Sequence, residues 1–307
     1  MNKRRGELIL EKVIRIAKPF FLLIGVGIIA LMIKKIGVVE LASLIRKISP
    51  FYVSLALAVW LLNLVVAGLR FRSLSAPQLQ YGKVFEVLLL SYLLNYASAV
   101  QGAGVGARVG LLRGEKVAVS QSLAGSGAEV LLDLLFTATV ALIFAAYVGM
   151  AKSGLGEIHP LPFLMGGFVG IAVICCILVL SRRGGFWGRF VVDLKMSLAL
   201  KKLPKNFLWT AVIWAFSGMG FYLILRAVGE VINPFLAISA MAVGFVIGFV
   251  SLVPGGLGVR DFSWAYVVSL GGVPLPISVG AALFLRFIYI ITVAVLAILM
   301  VGLRKKK

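Results

Sequence analysis

The residues in this chain best suited to chemistry sit beside glycines. Val253-Pro254-Gly255-Gly256-Leu257-Gly258-Val259-Arg260-Asp261 ends one apolar run and opens a short segment. Proline stops a helix and removes a donor, while Gly255, Gly256 and Gly258 permit positive φ and close backbone approach. The amides that follow can point at an anion from a helix N-terminus, and Arg260 can add a bidentate grip on phosphate. The chemistry expected here is binding of a phosphate-bearing headgroup. The competing reading has Arg260 paired with Asp261 or snorkelling to the interface, with the glycines serving only tight packing. Gly104-Val105-Gly106-Ala107-Arg108 shares the pattern G-x-G-x-R with Gly256 to Arg260, 152 residues away. Gly104, Gly106 and Arg108 are therefore candidates for the same role, although the stretch lacks the proline.

The other candidates are ionisable residues inside apolar runs. Glu129 and Asp133 are four apart, so both carboxylates share one helical face, and Arg286 lies in the last run. Asp133 follows Arg108 by 25 residues and Arg286 follows Arg260 by 26, so the two positions nearly correspond. A charge at membrane depth costs roughly 2.5–3.5 kcal/mol on insertion scales, so these groups are expected to face one another or a wet cavity. That predicts either an Asp133–Arg286 ion pair or a polar lining that accepts a headgroup or couples protons. Asn95, and from nearer a helix boundary Glu86, could join the lining. Elsewhere the chemistry is sparse. Cys175 and Cys176 are adjacent in an apolar stretch and read as packing residues, and His159 before Pro160 reads as a loop residue. No P-loop, nucleophile elbow or histidine metal pair occurs, so no cofactor, metal or catalytic residue is expected.

The elements that must hold these residues follow from composition. Of 307 residues 61% are hydrophobic and 14% charged, against a usual ~45–50% and ~25%. A soluble fold of this size could not hide so much apolar surface. Apolar runs occupy about 19 to 36, 51 to 69, 84 to 100, 128 to 150, 162 to 181, 207 to 228, 234 to 253 and 277 to 302. Backbone groups in hydrocarbon need internal partners, so the runs read as helices. Segments 109 to 127 and 261 to 273 each follow a glycine-rich loop and read as short, broken or re-entrant helices. The fold class is an all-α polytopic membrane protein with eight full transmembrane helices and two short ones, forming a single integral membrane domain over 1–307. Gly244-xxx-Gly248 permits close helix approach.

The 31 Lys and Arg against 11 Asp and Glu give +20. The basic residues lie between apolar runs, which favours membrane orientation over nucleic-acid binding. The loop from Arg182 to Lys205 and both chain ends are basic, so all three are expected in the cytoplasm. This requires each short segment to count as a crossing and leaves the 34 to 50 loop outside. Ten segments then divide into inverted five-segment repeats: 19–181 holds the first, 182–206 is a cytoplasmic amphipathic connector, and 207–303 completes the second. Inverted repeats with broken helices place transporter sites near the midplane. A charged stretch from Met1 to Lys18 with no small-residue cleavage site predicts that no signal peptide is removed.

The stretches Tyr92 to Asn95, Gly104 to Arg108, Glu129 with Asp133, and Val253 to Asp261 with Arg286 resemble the lysylphosphatidylglycerol synthase transmembrane-region family, over about Val53 to Leu303. The resemblance implies flippase-like handling of a modified phospholipid in the cell membrane. It does not imply the synthase reaction, which the family places in a separate soluble domain. Arg108 and Arg260 would hold the headgroup of an anionic or aminoacylated phospholipid or a polyprenyl-phosphate lipid, with Glu129, Asp133 and Arg286 lining or gating the path. Two alternatives stay open. One is a membrane-embedded transferase acting on a polyprenyl-phosphate or phospholipid, with Glu129 or Asp133 as base. The other is a scaffold that recruits a cytoplasmic synthase through the connector; a homo-oligomer is compatible with each.

Overall fold

The computed structural model describes residues 48–97, 103–151, 185–251, 253 and 256–304. Among the described residues the chain forms nine α-helices and no strand. These are α1 (Pro50–Ser75), α2 (Tyr81–Ala97), α3 (Ala103–Gly114), α4 (Val119–Ala151), α5 (Phe186–Ser197), α6 (Leu203–Ala227), α7 (Pro234–Val250), α8 (Val259–Leu270) and α9 (Leu275–Arg304). The expected runs 19 to 36 and 162 to 181, the 34 to 50 loop, both chain ends, His159, Cys175 and Cys176 lie outside the described residues. So do Pro254 and Gly255. Pro50 and Pro234 open α1 and α7 with a fixed helical φ, and Asn233 caps α7 by accepting from the Phe235 amide. Helices α1, α4, α6 and α9 are each long and apolar enough to cross a bilayer, whereas the apolar α7 is shorter. The chain is an all-α polytopic membrane protein.

The helices come in two series of matched length. The lengths are 26, 17, 12 and 33 residues for α1 to α4, and 25, 17, 12 and 30 for α6 to α9. The starts of α1, α2 and α4 precede those of α6, α7 and α9 by 153, 153 and 156 residues, and the end of α3 precedes that of α8 by 156. The leading helices of the two series run antiparallel. The Ser49 amide donates to Ala227 O, Arg226 to the Tyr52 hydroxyl, Asn63 to Ile213 O and Ser217, and Arg70 to Thr210. Numbers rise along one helix as they fall along the other. Packing also crosses between the series. Val293 and Ala297 of α9 enter the cluster of Trp60, Phe71 and Leu88, while Ala56 and Phe144 enter that of Phe221, Ile224 and Leu285.

One boundary departs from the sequence reading. The segment 109 to 127 is not a short helix: α3 ends at Gly114, Lys116 turns the chain with φ of 61°, and α4 runs unbroken from Val119. Ser120, Ser122 and Ser126 lower the local hydropathy because they are polar, while Ala124 and Gly125 are small where other helices approach. A Cβ on Gly125 would lie 2.2 Å from Ser75 Oγ and 2.6 Å from Ser75 Cα. Ala124 and Ala128 meet Leu194 of α5. The connector helix α5 thereby lies along α4, with Val191 and Leu194 buried and Phe186, Trp187, Val192 and Met196 exposed among Arg189 and Lys195. Its Ser197 hydroxyl donates to Leu74 O.

Gly125→Ala should separate α1 from α4 and destabilise the fold by about 1–3 kcal/mol, as overpacking does. Gly127→Ala, whose added carbon would meet only Leu194 at 4.0 Å, should be near neutral. Thermal unfolding of both variants in detergent measures the difference.

Candidate functional site

The antiparallel crossing of α1 and α6 carries polar residues inward at helical spacing. Asn63 and Arg70 on α1 meet Ser217, Ile213 and Thr210 on α6. Arg70 is buried, and a guanidinium removed from water needs a carboxylate. It finds Asp133 of α4: Nη1 donates to Oδ1 at 2.7 Å and Nη2 to Oδ2 at 3.0 Å, a bidentate pair. Trp214 Nε1 donates to the same Oδ1 at 3.0 Å. Trp60, 154 residues before Trp214, packs at 5.3 Å and a tilt of 30° against Tyr289, which lies 156 residues beyond Asp133. Each tryptophan thus reaches across to the other series.

Beside this crossing lies a cavity of about 260 Å³. Among the described residues its charged lining is Arg70, Arg260, Arg286 and Asp133; Asn63, Asn95, Ser217 and the rings of Trp60, Tyr92, Trp214, Phe245, Trp264 and Tyr289 complete much of the wall. Arg260 stands over the rings of Trp264 at 4.7 Å and Phe245 at 5.6 Å. Stacking of this kind fixes the plane of a guanidinium. Gly248 and Gly256 make room for its stem: added Cβ atoms would come within 3.2 and 3.0 Å of Arg260 Cβ. Gly256 and Gly258 have φ of 63° and 75°, so the hairpin before α8 requires glycine at both. Gly244 serves the close approach expected of it, against the ring of Trp264.

The structure redistributes the expected partners. Asp133 and Arg286 line the same cavity but do not pair with each other. Asp133 is held by Arg70 and Trp214, and Arg286 by Asp261. Asp261 is fully buried; its Oδ2 accepts from both Arg286 and the Gly258 amide. It therefore occupies an N-terminal donor of α8 that an external anion was expected to take, and it pairs across to α9 rather than with Arg260. The two G-x-G-x-R stretches also differ in register. Arg260 is the second residue of α8, ten before its end, while Arg108 is six before the end of α3. The helices correspond at 156 residues and the motifs at 152, so Arg108 sits a turn further along.

Arg108 accordingly lies behind the cavity wall. It is buried, donates to Glu129 at 2.6 Å and to Ser91, and rests on Phe71 and Tyr92. Gly104 lets α3 approach α2 at Ser91 and Asn95, whereas Gly106 is exposed with open space beside it. Glu86 stays with Lys83 near the start of α2. Arg70, Trp214 and Asn63 were not singled out as site residues. Arg70 falls one residue past the assigned end of its apolar run, yet the described helix continues to Ser75. A basic residue inside a spanning helix is itself the signal.

The Arg70–Asp133 bond makes an exchange experiment informative. Removing one partner of a buried pair costs about 3–5 kcal/mol, while replacing both by apolar residues is often neutral. Asp133→Leu alone should lower the unfolding temperature strongly, and Arg70→Met with Asp133→Leu should recover much of the loss; thermal melts of both variants check this.

None of the curated proteins compared with the chain matches it. A protein-family model does, over residues 20–297, which include every residue lining the cavity. The chain belongs to the family described as the lysylphosphatidylglycerol synthase TM region.

Proposed function

We propose that this protein binds the phosphate-bearing headgroup of a membrane lipid in the cavity at the α1–α6 crossing and carries it between leaflets. The observation that carries this reading is the lining: three arginines with one carboxylate, on helices α1, α8, α9 and α4, among tryptophan and tyrosine rings. Arginine in an apolar frame is suited to phosphate because its fork of donors matches two oxygens. Arg260 is the headgroup ligand, with Arg286 and Arg70 contributing charge and Asn95 a polar amide to the wall. Arg108 supports the wall through Glu129.

The matched helix lengths and the antiparallel α1 and α6 support an inverted duplication about an axis near the crossing. In such an arrangement one site can face either leaflet by rocking of one half against the other. The exposed rings and basic residues of α5 support its lying on anionic lipid at the cytoplasmic face. In this reading both termini lie in the cytoplasm, the membrane is the plasma membrane, and the substrate is an anionic or aminoacylated phospholipid. Transfer without catalysis fits the carboxylates better than a transferase does, because Asp133 and Glu129 are both engaged by arginines. A general base needs an accessible lone pair aimed at substrate.

In proteoliposomes, movement of fluorescent phosphatidylglycerol between leaflets, followed by dithionite quenching, should require the protein. Arg260→Gln should weaken binding about 10- to 100-fold, the range for a lost charged hydrogen bond. Quenching of the cavity tryptophans on lipid addition measures that affinity. Unchanged affinity in Arg260→Gln would remove the cavity from the mechanism.

A further inference from the structure

Asn63 of α1 lines the cavity at the α1–α6 crossing and is only 9% exposed. Its Nδ2 donates to Ile213 O at 3.0 Å and to Ser217 Oγ at 2.9 Å, so both amide hydrogens are taken by α6. Ser217 gives its own hydrogen to Ile213 O and therefore only accepts from Asn63. Turning the amide over would set Oδ1 against the Ile213 carbonyl oxygen, so these bonds lock its orientation. Oδ1 accepts no hydrogen bond among the described residues and, unlike Glu129 Oε1, is not sealed among them. The small exposure that Asn63 keeps is toward the cavity it lines. Asn63 and Ser217 are 154 positions apart, as are Trp60 and Trp214, so the bond joins matched positions of the two crossing helices.

An acceptor held this way in an apolar frame calls for a donor, and a ligand brings one as a hydroxyl or as an ammonium. The rest of the lining decides between them. Among the described residues Asp133 is its carboxylate, and Arg70 already holds both oxygens while Trp214 adds a third donor. Three guanidiniums line the same space. Arg260 occupies the faces of Trp264 and Phe245, and Trp60 packs on Tyr289, so much of the aromatic surface suited to a cation is in use. An ammonium reaching Oδ1 would therefore meet like charge at close range, which strongly disfavours it. A hydroxyl carries no charge. It can donate to Oδ1 while the phosphate beside it meets the arginines.

We infer that the headgroup is an anionic phosphodiester bearing a hydroxyl, as in an ester of glycerol or another polyol, and that Asn63 reads the hydroxyl through Oδ1. This rests on the lipid reading proposed above and narrows its substrate: of the anionic and the aminoacylated phospholipid, the cavity takes the anionic one. Arg260 holds the phosphate, and Asn63 determines which phosphodiester is preferred. A headgroup that lacks the hydroxyl leaves Oδ1 without a partner, and sites built around a hydroxyl reject such analogues for that reason. Ser217 does not substitute for Asn63, because its hydrogen is spent on its own helix and its oxygen on the Asn63 amide.

The test titrates the full chain in detergent with short-chain lipids and follows the fluorescence of the cavity tryptophans. Phosphatidylethanol has the same diester charge as phosphatidylglycerol without its hydroxyls, so it should bind about 3- to 10-fold more weakly, the range for one hydrogen bond. Lysylphosphatidylglycerol keeps a hydroxyl and adds ammonium groups, and it should bind at least about tenfold more weakly than phosphatidylglycerol. Asn63→Leu should equalise phosphatidylglycerol and phosphatidylethanol while leaving affinity for the second within about twofold, whereas a purely structural Asn63 would shift both lipids alike. Should Asn63→Leu not fold, the matched lipids on the unaltered protein decide. Equal binding of phosphatidylglycerol and phosphatidylethanol, equal or tighter binding of lysylphosphatidylglycerol, or an equal loss for both matched lipids in Asn63→Leu overturns the inference and leaves the lipid reading standing. Glycerol phosphate without acyl chains, if it competes as well as phosphatidylglycerol, makes the ligand a soluble anion and overturns both, as does absence of binding by every lipid.

Discussion

A charge taken out of water must find its opposite, and in this bundle that requirement joins the helices. Arg70 of α1 holds Asp133 of α4, Arg108 of α3 holds Glu129 of α4, and Arg286 of α9 holds Asp261 of α8. In lipid the hydrophobic effect gives no reason for one apolar helix to prefer another, so polar bonds and small-residue contacts set the packing. The small-residue contacts are equally local. Gly125 admits Ser75, Gly218 admits Ile238 and Gly244 admits Trp264, each at distances that a side chain would forbid. The cavity is a consequence of both. Arginine pairs hold long side chains at the crossing, and aromatic rings fill much of the space around them.

The two series of helices share lengths but differ in chemistry. In the second, the hairpin before α8 carries two glycines of positive φ, and Asp261 closes its own helix terminus while anchoring Arg286. That leaves the stacked guanidinium of Arg260 in the cavity wall. In the first, the matching arginine is displaced by about a turn and is spent on Glu129. Under the proposed duplication, one copy would supply the headgroup ligand and the other the buried Arg108–Glu129 pair. A shared scaffold can carry unlike side-chain chemistry, because helix length is set by bilayer thickness and side-chain identity at a given depth is not.

Much of the fold was legible in the amino-acid order. The runs beginning near 51, 84, 207, 234 and 277 became helices with starts within four residues of expectation. Segment 109 to 127 misled because the dip in hydropathy over Ser120 to Ser126 reads as the end of a helix, although it is a face of serine, glycine and alanine near the start of the long α4. Of the candidate site residues, Arg260, Arg286, Asp133 and Asn95 line one cavity. Their partners were not identified. Equal spacing from paired arginines placed Asp133 opposite Arg286, but a three-residue difference in the loops before α3 and α8 shifts that correspondence by most of a turn, enough to send each to another partner.

The sequence by itself determined that this is a helical membrane protein, which residues carry charge inside it, and where glycine lets the chain turn sharply. Those are properties of composition and local order, set by transfer of short segments from water into hydrocarbon. Only the tertiary structure decided which charges meet: residues 63, 21 and 25 positions apart form three buried pairs among the described residues. The physical reason is that an ion pair depends on helix register and approach, which arise from contacts among helices distant in sequence, while hydropathy averages over a single helix and is blind to its facing.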